Sequence, residues 1–555
     1  MPTAPYNHHR GHKPAASTGY LAIRGAGGGS SLMARSGRNR FMRCRRPQAV
    51  HGDDRISALP DDLLLDILGR LDTRTVRGSR MLSKRWAGLA RELPFLDLSV
   101  GDILPPRYHR WVLLQDSEVT DLEDVFATAK VEKSMPHIRR YERRAMRALR
   151  SSVERLLDGV GRRVSRLTVE FFSTHNTGCI NRLISTAVNA WDVHDLVAVA
   201  KPLYWQPRKF HAFPSQGICE DPRASCLTSL KLGGCVIPPL HGHNVLTVLV
   251  LQDTPISTPE SAYEGIFTSC PQLKVLHLIS CYSAGNGQIT VDAPESELRE
   301  LVVDNCFGFI RIGLRALPRL ERLASLGTRV RFETTSFPCL RQSNFTLCMG
   351  VTNEAARRYF APLMKLKLGF FLQGVPDITD LIIRFTGPDR WIVPSVSSSW
   401  PPLLPNLKRL LVADMPRSWD VSWPLLLLET APSLETLHIH ISPKEEEPSG
   451  DEILWQPAML PGRRRLKEFV MVGFEGTERQ VYLLRSVIGM CSPALRLVAV
   501  FKKGIVRDKG HWDWELVTQQ QHSPWTDEEK DRTLKKIMNN GVPSSSAASP
   551  VIVFG

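Results

Sequence analysis

Leu227-Thr228-Ser229-Leu230-Lys231-Leu232-Gly233-Gly234-Cys235 is the stretch on which the fold turns. Its spacing returns as Leu273, Leu276, Leu278, Cys281 and, with one valine, as Leu298, Leu301, Val303, Cys306. Each copy reads L-x-x-L-x-L-x-x-C, and the alternation inside it is that of a strand with one apolar face. Looser copies begin at Val164, Leu246, Ile378, Leu407, Leu434 and Leu466. The leading leucines at 227, 246, 273, 298 and 320 lie 19 to 27 residues apart. Units of that size, each with one strand and one return connection, bury their apolar faces only by stacking on one another.

The pattern is the mark of a leucine-rich repeat. It is irregular, with a gap of 38 between Leu340 and Ile378, so some units are degenerate or carry insertions. Cys235, Cys281 and Cys306 fall where a small side chain turns inward after the strand, which makes them core residues and not ligands. Residues flanking the inward leucines face the opposite side of the sheet. Val248, Val250, His277, Ile279, Arg409, His438 and His440 are the candidate target-binding residues among them. Several of these positions are apolar, so either another segment of the chain covers this face or a partner does. Partial cover is the expectation.

Towards the N-terminus the period changes. Leu59-Pro60-Asp61-Asp62-Leu63-Leu64-Leu65-Asp66-Ile67-Leu68-Gly69-Arg70-Leu71 predicts a helix, with Pro60 suited to its first position and Asp61 and Asp62 to the positive end of its dipole. A second helix is expected across Thr75 to Met81. A third follows Ser83, with Leu82, Trp86, Leu89 and Leu93 at helical spacing before Pro94. Three helices in some forty residues rarely bury enough surface to stand alone, so leftover leucines need an external surface to cover them.

These residues carry a resemblance. Asp54-Arg55-Ile56-Ser57-Ala58-Leu59-Pro60-Asp61-Asp62-Leu63-Leu64 followed by Leu82-Ser83-Lys84-Arg85-Trp86 is similar to the F-box of plant F-box proteins. The resemblance implies binding to a Skp adaptor and, through it, a cullin-RING ubiquitin ligase. By position it implies that Leu59, Pro60, Leu64, Ile67, Leu68, Val76, Leu82 and Trp86 form the docking surface and its supporting core. The chain departs from the plant pattern at Arg77, Gly78, Ser79, Arg80 and Met81, where Gly78 costs helix stability and Arg80 adds a charge.

Further on, Pro376 to Leu381, Phe385 to Trp391, Ala431 to Ile439 and Leu466 to Val470 resemble a grass-type F-box and leucine-rich-repeat family with an FBD-like C-terminal region. The expected fold class is thus α+β repeat, a three-helix F-box followed by an irregular leucine-rich-repeat solenoid with a C-terminal helical cap. The expected layout is a disordered basic tail (1–52), the F-box (53–97), a helical connector (98–160), the repeats (161–460) and FBD-like terminal repeats with a cap helix (461–555). In the connector, Met146, Leu149, Val153, Leu156 and Leu157 share one face. In the cap, Thr526 and Glu529 have capping-box spacing ahead of Leu534, Ile537 and Met538.

Composition bounds the function. In 555 residues there are 71 Lys+Arg against 56 Asp+Glu, and nine of those cations lie in residues 1–52, which hold no acidic residue. The tail, more than the body, is basic. No apolar run is long enough to cross a bilayer and no secretory leader is visible at the N-terminus. Eleven cysteines without a C-x-x-C pair read as reduced thiols, so nucleus or cytoplasm is the expected location. His241-x-His243 and His438-x-His440 lack the companions a metal site needs, and no catalytic motif or cofactor loop is found. The expectation is a non-catalytic substrate-recognition subunit of a Skp-cullin-F-box ubiquitin ligase, with no cofactor, no membrane partner and an unknown target protein. The alternative is an adaptor-independent scaffold that touches nucleic acid through its basic tail.

Overall fold

The computed structural model describes residues 56, 58–71, 73–79, 82–120, 125–159, 163–174, 176–285, 287–309, 311–328, 330–334, 337–348, 366–367, 377–386, 392–393, 404–415, 424–442, 465–491, 494–517, 525–538 and 550–555. The expected basic tail and Trp391 lie outside these. Contacts divide the chain into Met1–Pro60 and Asp61–Gly555. In the first unit Leu59 N donates to the Ile56 carbonyl at 3.1 Å.

The second unit opens with α1 (Asp61–Gly69), α2 (Thr73–Ser79) and α3 (Lys84–Glu92). Further helices are α4 (Pro106–Thr120), α5 (Val125–Leu157), α6 (Gly178–Ala190), α7 (Glu260–Ser269), α8 (Pro424–Thr430), α9 (Glu478–Cys491) and α10 (Asp527–Met538). The main feature is a 15-stranded parallel sheet that advances in sequence order. Its strands are β1 (Phe95–Ser99), β2 (Arg166–Phe172), β3 (Asp195–Lys201), β4 (Ser229–Gly233), β5 (Val248–Gln252), β6 (Val275–Ile279), β8 (Glu300–Asp304), β10 (Arg322–Leu326), β12 (Gln342–Cys348), β14 (Asp380–Thr386), β16 (Arg409–Met415), β17 (Thr436–Ile441), β18 (Glu468–Val472), β19 (Leu497–Phe501) and β22 (Val551–Phe554). Some returns are helical. Others are strands: β7 (Gln288–Asp292), β9 (Arg311–Ala316) and β11 (Val330–Phe332) pair in a second parallel sheet, and β13 (Leu366–Lys367) pairs with β15 (Ile392–Val393). An antiparallel hairpin, β20 (Ile505–Lys509) and β21 (Asp513–Val517), forms a two-stranded sheet of its own.

The sequence period becomes a ladder. In register across the sheet, Leu96, Leu167, Leu196, Leu230, Leu249, Leu276, Leu301 and Leu323 stand side by side. Ser343 interrupts the row, which resumes with Leu381, Leu410, Leu437 and Phe469. These leucines belong to one continuous apolar core between the sheet and the returns. Burial of each such side chain stabilises the fold by about 1.5–3 kcal/mol relative to exposure.

The residue that follows a strand is repeatedly left-handed: Gly234, Asp253, Ser280, Asn305, Gly327 and Gly473 all have positive φ. Each donates its N–H to a carbonyl of the next strand of the sheet, in all but Gly327 that of the strand's last residue, for example Gly234 to Gln252 at 2.9 Å and Ser280 to Asp304 at 2.7 Å. This turn aims the next side chain inward, and there sit the three cysteines. Cys235, Cys281 and Cys306 are all buried. Their thiols donate to the carbonyls of Gly233, Leu251 and Leu278 at 3.1, 3.3 and 3.4 Å.

Two features go beyond the sequence reading. The sheet starts at Phe95, inside the segment read as the end of the F-box, because Phe95 to Ser99 pairs in parallel with Arg166 to Glu170. Helices α4 and α5 are therefore an insertion between two neighbouring strands. Met146, Leu149 and Val153 are buried there, and Met146 Sδ accepts from Phe172 N at 3.2 Å. At the other end, α10 has the expected capping box, with Thr526 N donating to Glu529 Oε2 at 2.9 Å and Glu529 N to Thr526 Oγ1 at 3.2 Å. Yet α10 does not close the sheet. Ile537 is buried while Met538 is exposed, and β22 adds the outermost strand beyond β19.

Candidate interaction surfaces

Two surfaces are assembled. The first lies on the N-terminal helices. Leu64 and Leu68, one turn apart on α1, are fully buried, and Val76 of α2 and Trp86 and Leu89 of α3 are buried with them. Helix α3 packs against both α1 and α2. Ser83 caps it by accepting from Trp86 N at 3.2 Å, and Arg85 bridges to Asp61 of α1 at 2.6 Å. That pair is well exposed, so it contributes at most about 1 kcal/mol.

The same helices leave other apolar side chains in solvent. Leu63 is 51% exposed, Ile67 38%, Leu71 37% and Leu82 72%. Leu63, Ile67 and Leu71 recur every four residues and so form one stripe of α1 and the turn after it. Of the residues read from sequence, Leu64, Leu68, Val76 and Trp86 form the interior and Ile67 and Leu82 the surface. In the preceding unit Leu59 is half-buried and Pro60 exposed. Leu63 and Leu71 were missing from that reading, although their four-residue spacing from Ile67 marks them.

Residues 56–98 match the F-box domain. Similar curated proteins, all from Arabidopsis thaliana, include a putative F-box/FBD/LRR-repeat protein, 43% identical over 58 residues, which is 10% of this chain and 13% of the relative. An F-box/FBD/LRR-repeat protein is 46% identical over 61 residues, 11% of this chain and 14% of the relative. An F-box/LRR-repeat protein is 35% identical over 88 residues, 16% and 17% respectively. The chain thus spans less than a fifth of the length of the curated relatives it matches. The stripe of Leu63, Ile67 and Leu71 lies within the F-box segment.

The second surface is the face of the long sheet opposite the leucine ladder, and it is divided. On β3 to β6, Val197, Val199, Lys231, Val248, Val250, Gln252, Val275 and Ile279 are half-buried. From β8 onward the equivalent positions are covered: Val302, Ala324, Ile382, Leu411 and Ala413 are buried. The cover is the β20–β21 hairpin. Val506, Trp514 and Leu516 pack on Ile382, Leu411 and Ala413, and Leu516 also packs with Val470, Val472 and Ala499.

Polar contacts fasten the hairpin. Arg384 Nη2 meets Asp508 at 2.7 Å and Arg409 Nη2 meets Asp513 at 2.8 Å. Trp514 Nε1 donates to His438 Nδ1 at 2.9 Å, and the Arg409 guanidinium lies 4.5 Å from the indole centroid. Nearer the tip, Asn344 donates to the His511 carbonyl at 2.9 Å, Arg322 stands over Trp512 at 5.4 Å, and the His277 and His511 rings meet edge to face at 5.7 Å.

The candidate target residues are therefore separated. Val248, Val250 and Ile279 lie on the half-buried part of the face, and His277 at its boundary, where its Nε2 is 2.7 Å from Glu300. Arg409 and His438 lie under the hairpin. His440 is buried, with Nδ1 3.1 Å from Asp414, and offers no surface to a partner. Burial works to raise Asp414, but His440 and Arg384 hold it below the usual carboxylate range. The sequence reading missed the hairpin because its alternation resembles that of any other strand pair.

Proposed function

We propose that this chain is the target-recognition subunit of a Skp-cullin-F-box ubiquitin ligase, in which the F-box segment docks on the Skp adaptor and the parallel sheet, a leucine-rich-repeat solenoid with FBD-like terminal strands, holds the target. One observation carries the reading: in the segment that matches the F-box domain, Leu63, Ile67, Leu71 and Leu82 are exposed on helices whose Leu64, Leu68, Val76 and Trp86 are buried. An unpartnered apolar stripe on a firmly packed scaffold is what a docking module needs. The chain itself does no bond chemistry; it positions a target lysine for a separate enzyme. The test is co-purification of a Skp adaptor and cullin with the full chain. The unmodified chain is expected to retain both, and Leu63→Glu with Leu82→Glu to lose at least tenfold. Recovery of neither partner with the unmodified chain overturns the proposal.

A further inference from the structure

The covered half of the sheet face has the chemistry of a binding site and not only of a core. Arg384, Arg409 and His438 ring a small apolar floor made by Ile382, Leu411 and Ala413. Each of the three polar residues has a second partner within the sheet. Arg384 Nη1 pairs with Asp414 at 2.5 Å, Arg409 Nη1 with Asp380 at 3.1 Å, and His438 Nε2 with Glu468 at 3.1 Å. If the hairpin leaves, both guanidinium groups keep a carboxylate and the imidazole keeps its orientation. A half-buried arginine stranded by loss of its lone partner destabilises the fold; these keep one partner each and are pre-organised to bind again.

We infer that this patch is a recognition site for a tryptophan-bearing segment with a carboxylate on either side of the indole, that the chain's own β20–β21 hairpin occupies it, and that a partner of the same chemistry enters by displacing the hairpin. The occupant defines the selectivity. An indole must reach the floor between Arg409 and His438, donating its N–H to His438 Nδ1, while carboxylates on either side meet Arg384 and Arg409. The planar guanidinium groups favour carboxylates, and the indole adds a cation–π contact with Arg409. A segment of basic or purely aliphatic residues satisfies none of these groups. The inference deepens the target-binding reading above and rests on it for the identity of the site, but its chemistry does not depend on the adaptor.

Tethering matters to how this site behaves. The hairpin leaves β19 after three residues, Lys502 to Gly504, so its effective concentration at the patch is high, on the order of millimolar for a short flexible link. A free segment of equal intrinsic affinity therefore competes poorly until the hairpin is weakened.

The experiment uses the full chain and a fluorescent peptide of residues 505–517 as the probe. The unmodified chain is expected to bind it weakly. Asp508→Asn with Asp513→Asn in the chain, which loosens the hairpin but leaves Arg384 and Arg409 in place, is expected to bind the unmodified peptide at least tenfold tighter. Adding Arg409→Ala, or replacing the tryptophan equivalent to Trp514 in the peptide by alanine, is expected to abolish that gain. No gain in the folded double variant, or an equal gain with the tryptophan-free peptide, overturns the proposal. Should the double variant fail to fold, hydrogen exchange in the unmodified chain decides: hairpin amides that exchange faster than those of β4 to β6 support a displaceable hairpin, and exchange only at the global rate overturns it. No adaptor is present in these assays, so their failure is separable from failure of the ligase reading.

Discussion

The indole of Trp514 donates to His438 Nδ1 at 2.9 Å, and this fixes the proton on the far side of the ring, where Nε2–H donates to Glu468 at 3.1 Å. His438 is therefore neutral in the docked state. Burial lowers its pKa, with Arg409 adding to the effect and Glu468 opposing it. The unfolded imidazole takes up a proton near 6.5, above the folded value, so stability rises with pH across that interval and is lost as pH falls through it. A second imidazole at the tip, His511, is also lowered by burial and by His277, against Asp304, Glu300 and Asp508. Both act in the same direction. Hydrogen exchange at Val506 and Leu516, corrected for intrinsic rates, should show weaker protection at pH 5 than at pH 7.5, and His438→Phe should reduce that difference. Equal protection at both pH values would count against the account.

The F-box segment separates stability from docking. Leu64 is fully buried, so Leu64→Ala should cost about 2–5 kcal/mol in chemical denaturation. Gly78 is exposed within α2, and a Cβ added there meets nothing among the described residues within 4 Å. Gly78→Ala should stabilise α2 by up to about 1 kcal/mol, the difference in helix propensity. A loss of stability in this variant would mean that Gly78 holds a conformation which alanine cannot.

Much of this was legible before any coordinates. The inward places of Cys235, Cys281 and Cys306 follow from the leucine spacing, and the Thr526–Glu529 cap follows from a local hydrogen-bonding rule. Both depend on residues close in sequence. What escaped depends on long-range pairing. Phe95 to Ser99 is an ordinary apolar stretch until it finds Arg166 to Glu170, 71 residues later in register. The hairpin of residues 505–517 has no feature that says which sheet it lies on, and its match to Arg384 and Arg409 is visible only when the three meet. The helix expected to close the sheet was well capped, but a cap says nothing about a strand further along. Leu63 and Leu71 were passed over because an apolar helix stripe is normally turned inward, and only burial reveals that Leu64 and Leu68 took that role.

The left-handed turns differ in how much they tolerate. At Gly234, with φ +62°, a Cβ would collide with the Ala200 carbonyl oxygen. Gly234→Ala should lose about 1–3 kcal/mol from the backbone angle alone, and the clash with a neighbouring strand adds to it. Gly510, with φ +69°, has nothing among the described residues within 4 Å of its added Cβ. Gly510→Asn should therefore fold normally, since asparagine accepts this region readily. Thermal melts of the two variants compare a crowded turn with an open one, and similar losses in both would overturn the distinction.

Glu142 of α5 offers a test of the helical insertion. Its side chain is fully buried, with Oε1 accepting from Tyr108 Oη at 3.0 Å and from Tyr204 N at 3.1 Å, while Oε2 has no hydrogen-bond partner among the described residues. Burial pushes the carboxyl up to about 7 from an ordinary 4.5, outweighing the two hydrogen bonds and the charge of Arg139. Between those values the folded protein holds a proton that the unfolded chain has released. Stability must then fall as pH rises from about 4.5 through 7, by a total of about 3 kcal/mol, and level off above. Glu142→Gln keeps the shape and the acceptor oxygen but has nothing to ionise. The variant should lose this descending limb and be the more stable protein at pH 8, although it gains nothing at pH 4.5. Denaturation at a series of pH values measures the difference between the two curves. If the curves run parallel from pH 5 to 8, Glu142 is ionised in the folded state and some other group satisfies Oε2.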